Sequence, residues 1–204
     1  VNAVIFQAAG LLLSYPDEEL IERLPMIEQA VAEVGAADAF APTIAHLRSL
    51  SLMDAQSWHV QEFDLSRRHA LHLTYWTDGD TRRRGEVLLA IKQTYRDSGL
   101  LVDLDGELPD YLPMVLEFAA TGDPELGVGI LNTYRASLEL LRMSLSDDKL
   151  PQAAILEVIC QTLGGGSPKT RAEVQQLLQE PPQETVGLHD PVLLPYPKVQ
   201  GSTS

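Results

Sequence analysis

The chain has 204 residues, 45% of them hydrophobic and 6% aromatic, with a formal net charge of -14 and a sequence pI of about 4.6. That length suits one domain, or one domain and a tail. The acidity repels phosphate backbones and anionic membranes, which argues against nucleic acid and membrane surfaces as partners. Two readings of the charge stay open: a surface charged only for solubility, or one suited to a basic peptide or protein.

Leu and Ala dominate and strand-forming runs are scarce, so the chain reads as all-helical. VNAVIFQAAGLLLSYP has the oiliness of a signal-peptide core. It lacks a preceding Lys or Arg and an A-x-A site, and Ile5, Ala9, Leu12 and Leu13 share one face, which predicts a first helix. Pro16 and Asp17 open a second helix over 17–34, with the stripe Leu20, Leu24, Ile27, Val31. A third starts at about Pro42 and carries Ile44, Leu47 and Leu50. Ser51 and Asp54 have capping-box spacing for a fourth, which holds Trp58 and Phe63. SRRHALHLTYW reads as a short helix or a helix end, stopped at TDGD. The clearest amphipathic helix covers 81–98, with Val87, Leu88, Ile91 and Tyr95 inward.

A helix over about 110–121 comes next, then one capped by Asp123 with Pro124 at its first position, running to about Ser146. Further helices cover 151–163 and, from a second capping box at Thr170 and Glu173, the stretch to about Gln179. Beyond Pro181 five prolines predict an extended tail over 181–204. The expected architecture is one helical domain over 1–180, a compact bundle of about eight to ten helices.

Chemistry-bearing patterns are few. GGGSPKT at 164–170 has Pro168 where a phosphate loop needs Gly, and a helix rather than a strand before it, so it reads as a helix stop and a helix start. His69 and His72 lie three apart without the further ligands a metal site needs. DGD at 78–80 is too short for a calcium loop and reads as a turn. The lone Cys160 sits among apolar residues and reads as core; the absence of a disulfide framework fits a reducing compartment. Nothing here points to an enzyme.

ELPDYLPMVLEF at 107–118 is different. Pro109 shapes the approach, Asp110 is placed to cap, and Pro113 falls in the first turn, where its missing N–H costs nothing. Leu112, Val115, Leu116 and Ala119 form one apolar stripe, widened by Tyr111 and Phe118. Asp110, Met114, Glu117 and Thr121 occupy the remaining narrow face. A helix this oily is central to the core or part of a docking surface.

The block HVQEFDLSRRHALHLTYWTDGDTRRRGEVLLAIKQTYRDSGL, followed by DGELPDYLPMVLEF, resembles the NarJ family, the nitrate reductase molybdenum cofactor assembly chaperones or delta subunit. The opening LLLSYPDEEL is similar to that family's as well, and the likeness extends over about residues 1–165. The resemblance implies the all-helical fold of redox-enzyme maturation chaperones and a cytoplasmic, non-enzymatic role. It implies a partner, the catalytic subunit of a respiratory nitrate reductase, held until its molybdenum cofactor is inserted and before membrane attachment. The cofactor would belong to that client, with none bound permanently here. Related chaperones carry E-x-P-D-H, and Tyr111 stands where their His would be, which points to the nitrate reductase branch.

A basic amphipathic client segment, the subunit's N-terminus above all, would fit an apolar groove with acidic edges. Glu107, Asp110 and Glu117 are the candidate edges, and Tyr111, Met114 and Phe118 the candidate apolar contacts. Asp64, Asp80 and Arg84 match family motif positions and are secondary candidates. The rival readings are a chaperone of this fold for another molybdoenzyme, and a nucleotide-using or hydrolytic helical protein.

Overall fold

The computed structural model describes residues 1–79, 82–100, 102, 104 and 106–179. Among these there are eleven α-helices, no strand, and one isolated bridge between His72 and Tyr111. Among the described residues no helix is long and apolar enough to cross a membrane. The expected tail over 181–204 lies outside the described residues.

Four helices form the first half. They are α1 (Asn2–Leu13), α2 (Glu18–Glu33), α3 (Ala37–Ser49) and α4 (Leu52–His59), the last running on into a π-helical turn at Val60–Asp64. Asp17 caps α2 by accepting from Leu20 N at 2.7 Å, and Ser51 caps α4 by accepting from Asp54 N at 3.2 Å, as the spacing predicts. The third helix starts five residues earlier than expected and carries Pro42 inside it.

Residues 66–74 are irregular, so the helix expected there is reduced to α5 (Tyr75–Asp78). Next come α6 (Arg82–Asp97) and α7 (Leu112–Glu117), which also continues into a π-helical turn, Phe118–Gly122. The single helix expected over 124–146 is two, α8 (Pro124–Thr133) and α9 (Arg135–Asp147), broken at Tyr134. Two more, α10 (Ala153–Thr162) and α11 (Arg171–Gln179), complete the order.

α1 is the central element and packs on α7, the turn after it, α2, α3 and α10. Its neighbours contribute Val115 and Leu116 from α7 and Ile155, Leu156, Ile159 and Cys160 from α10, all fully buried. Each large side chain so buried stabilises the fold by ~1.5–3 kcal/mol. At the α1–α7 contact Gly10 faces Pro113, and a Cβ there would stand 3.1 Å from the Pro113 carbonyl oxygen.

The glycine-rich stretch at 164–168 is held by a buried ion triad. Glu139, fully buried, lies 3.0 Å from Arg135 and 2.7 Å from Arg142. The same guanidiniums donate to the carbonyls of Gly164 and Pro168, each at 2.9 Å. Burial alone would raise the Glu139 carboxyl, but hydrogen bonds from Arg142 and Ser167 and both arginine charges hold it below the usual range.

Candidate functional site: two clefts divided by Tyr111

The segments 71–74 and 109–112 lie side by side. Leu73 N donates to the Asp110 carbonyl at 3.0 Å and Leu112 N to the Leu71 carbonyl at 2.8 Å. This pairing places the carboxylate of Asp110 in the interior, with no exposed surface. One of its oxygens accepts from Thr74 N at 3.0 Å and from Thr74 Oγ1 at 2.6 Å. Arg84 Nε donates to the same hydroxyl at 3.0 Å, and its Nη2 lies 3.9 Å from the carboxylate. Tyr95 adds a bond from its hydroxyl to the Pro109 carbonyl at 2.7 Å. This hydrogen-bonded network ties the two segments together as a structural latch, although the other Asp110 oxygen, Oδ1, is buried with no hydrogen bond among the described residues.

Two expectations are thereby corrected. Asp110 neither caps α7 nor edges a groove: the N-cap is Tyr111 with no side-chain bond, and the Asp110 carboxylate is already engaged by Thr74. Phe118 is 4% exposed and meets the Tyr95 ring edge-on at 4.8 Å, so it belongs to the core.

The other residues of 107–117 do come together. Glu107, Tyr111, Met114 and Glu117 line a cleft of about 160 Å³ with Gln7 and Leu11 of α1. Gln7 and Leu11 also line an adjoining, almost wholly apolar depression of about 340 Å³, bounded by Val4, Met26, Ala30 and Ala120. The two make one furrow along the outer face of α1, with carboxylates at one end. At their junction the Gln7 Oε1 atom is buried and accepts no hydrogen bond among the described residues.

On the other side of Tyr111 opens a cleft of about 370 Å³, lined by Asp64, Arg67, His72, Tyr75 and Arg84. Asp64 and Arg84 therefore meet Tyr111 there, while Asp80 lies outside the described residues. The His72 ring tilts against Tyr111 with centroids 5.4 Å apart, and its Nε2 is 3.7 Å from Glu107. Burial, then the charges of Glu107 and Asp64, push the Tyr111 phenol above its ordinary value, so it is a neutral donor at any physiological pH.

Beneath this cleft His69 is buried, its Nε2 2.8 Å from Asp148 and its Nδ1 3.3 Å from Glu62. It fixes the irregular segment to the end of α9. Among the described residues no cluster of His, Cys, Asp or Glu is arranged to hold a metal ion.

Sequence reasoning missed Gln7, Leu11 and His72. Gln7 and Leu11 are four apart on α1, off its core stripe, and that half-turn offset was the available signal.

Comparison with known proteins agrees with this architecture. The family described as nitrate reductase delta subunit matches residues 27–143. The "Nitrate reductase-like protein NarX" of Mycobacterium tuberculosis (strain ATCC 25618 / H37Rv) is 42% identical over 161 residues, 78% of this chain; the chain spans only 24% of that protein's length. A Bacillus subtilis (strain 168) protein named "Probable nitrate reductase molybdenum cofactor assembly chaperone NarJ" is 33% identical over 166 residues, 78% of this chain and 88% of its own. A crystal structure ascribed to a redox enzyme maturation protein of Archaeoglobus fulgidus superposes with a TM-score of 0.61 at 19% identity, over 79% of this chain and 93% of that one, and shares the fold. On the extent of the family match and of the Bacillus likeness, the chain belongs to the nitrate reductase delta subunit family.

Proposed function

We propose that this chain is an assembly chaperone, not a catalyst, that binds the catalytic subunit of a nitrate reductase in the cytoplasm and assists insertion of its molybdenum cofactor before membrane attachment. The relatives' names support the role. The observation that carries the binding mode is the furrow along α1, apolar over most of its length and edged by Glu107 and Glu117. An amphipathic helix lays its apolar face into such a groove, and basic residues at one end would meet the carboxylates. The buried Gln7 Oε1 supplies an acceptor for a donor on the bound segment. The client's N-terminal segment is the proposed occupant, and the cofactor stays with the client throughout. Release follows when maturation makes the bound form of the client less favourable.

Calorimetry of the full chain with a peptide from the N-terminus of the nitrate reductase catalytic subunit, at two salt concentrations, tests this. Saturable binding that weakens with salt is expected. Replacing both Glu107 and Glu117 by Gln is expected to weaken it by about fivefold, since rim charges contribute ~0.2–1 kcal/mol each. Binding indifferent to both salt and substitution refutes the acidic-edge account, and no binding at either salt refutes this occupant.

A further inference from the structure

The helix α6 is at odds with the rest of the surface. Its 16 residues hold Arg82, Arg83, Arg84, Lys92 and Arg96 against only Glu86 and Asp97, a net of +3 in a chain of -14, which leaves -17 elsewhere. Of these residues only Ile91 and Tyr95 are buried. At 100° per residue, Arg82, Leu89 and Arg96 fall within about 40° of one another on the side away from Ile91 and Tyr95, with Lys92 on one flank of the stripe and Gln93 and Glu86 on the other. Leu89, in the middle of that stripe, is 62% exposed.

Of the seven arginines outside α6, all but Arg67 sit in ion pairs among the described residues: Arg23, Arg48, Arg68, Arg135, Arg142 and Arg171, as expected where carboxylates outnumber basic groups 29 to 15. On α6 Arg82, Lys92 and Arg96 make no ion pair among the described residues, and Asp97 accepts from Gln93 instead. These three cations around an exposed leucine, with Glu86 at one edge, form a basic patch on a helix the core barely uses.

We infer that this outward face of α6 is a docking surface for an acidic, amphipathic protein segment, distinct from the furrow along α1 and opposite to it in charge preference. Charge complementarity selects the occupant. The stripe from Arg82 to Arg96 is ~21 Å long, about the length of a 15-residue helix. An apolar side chain of the partner covers Leu89 while its carboxylates meet the flanking cations. A long polyanion does not fit as well, because a phosphate backbone leaves the exposed Leu89 at the middle of the stripe uncovered. The inference does not depend on the identity of the client.

The test uses the full chain, labelled with ¹⁵N, and a defined probe, acetyl-(Leu-Glu-Glu-Ala-Leu-Glu-Glu)₂-amide, whose leucines at i, i+4 and i+7 share one helix face, with an oligothymidine of equal length as the competing polyanion. The peptide is expected to shift the amides of 82–97 saturably. The double variant Arg82→Glu with Arg96→Glu is expected to weaken binding about tenfold, and Leu89→Ser alone about threefold. All three positions are exposed, so the variants should keep the parent's melting temperature. Absence of shifts on α6, binding that survives the charge reversal, or equal binding of the oligothymidine at α6 would each overturn the inference.

Discussion

Replacing Asp110 by Ala removes the acceptor of two buried hydrogen bonds, from Thr74 N at 3.0 Å and Thr74 Oγ1 at 2.6 Å, and a carboxylate 3.9 Å from Arg84. The Thr74 hydroxyl still accepts from Arg84, but its amide is left without a partner in a place water does not reach. A buried donor left unmade costs ~1–3 kcal/mol, and loss of one member of a buried charged network brings the total to ~3–5 kcal/mol. For a domain of this size 1 kcal/mol moves the melting temperature by ~2–4 °C, so Asp110→Ala should melt roughly 6–20 °C lower. Asp110→Asn keeps one acceptor oxygen and should cost less, ~1–2 kcal/mol. The assay is urea unfolding and thermal melting of both variants, followed by client-peptide calorimetry on the folded fraction. The latch account expects lost stability with affinity per folded molecule retained. An Asp110→Ala protein as stable as the parent that binds peptide more weakly would refute it and return Asp110 to the binding surface.

The crossing of α8 over the π turn gives a paired test. A Cβ on Gly127 would lie 2.5 Å from Ala119 Cα, whereas Gly129 has nothing within 4 Å. Gly127→Ala should therefore cost ~3 kcal/mol or more, and Gly129→Ala should stabilise by up to ~1 kcal/mol; equal effects in denaturant melts would refute the packing. His59 is buried between the rings of Tyr15 and Phe63, and burial lowers its pKa, with Asp64 partly opposing. The unfolded chain then binds more protons, so the His59 contribution is lost as pH falls below the unfolded value of ~6.5. His46 is lowered by burial too and acts with the same sign. The urea midpoint of the parent should fall more between pH 7.5 and 5.5 than that of His59→Gln; parallel curves would refute this. Burial, chiefly, pushes the Cys160 thiol up to about 12, so thiol reagents should modify it only once the chain is unfolded. Modification of the native protein at the rate of the unfolded one would contradict the buried placement.

What could be read from the sequence divides along the range of the interactions involved. Asp17, Ser51 and Asp123 cap the helices their spacing indicates, because a cap joins residues three apart. Asp110 has the same local look and does something else, because its partner Thr74 is 36 positions away. Tertiary partners override a local preference of ~1 kcal/mol, the usual worth of a cap. Periodicity places Phe118 on the widened apolar stripe without telling whether that edge faces the core or a partner; it packs inward against Tyr95, at the start of the π-helical turn. Tyr134 gave no sign that it ends α8, since it is neither glycine nor proline. By contrast the family resemblance, carried by ordered motifs such as Leu73-Thr74, Arg84-Gly85 and Glu107 to Pro113, marked the neighbourhood of the latch without showing which residues hold and which touch.

That division has a consequence for how such a protein changes over time. The strands of the latch, Thr74, Arg84 and Asp110, are joined to one another, while Glu107, Met114 and Glu117 project from the frame they secure. Substitutions at the projecting positions alter what the furrow accepts and leave the frame standing; substitutions in the latch threaten the frame whatever the furrow accepts. Under the proposed function, Glu107, Met114 and Glu117 are therefore the positions at which the furrow's choice of client can shift in small steps, while the buried Thr74 and Asp110 keep the frame that any such furrow needs.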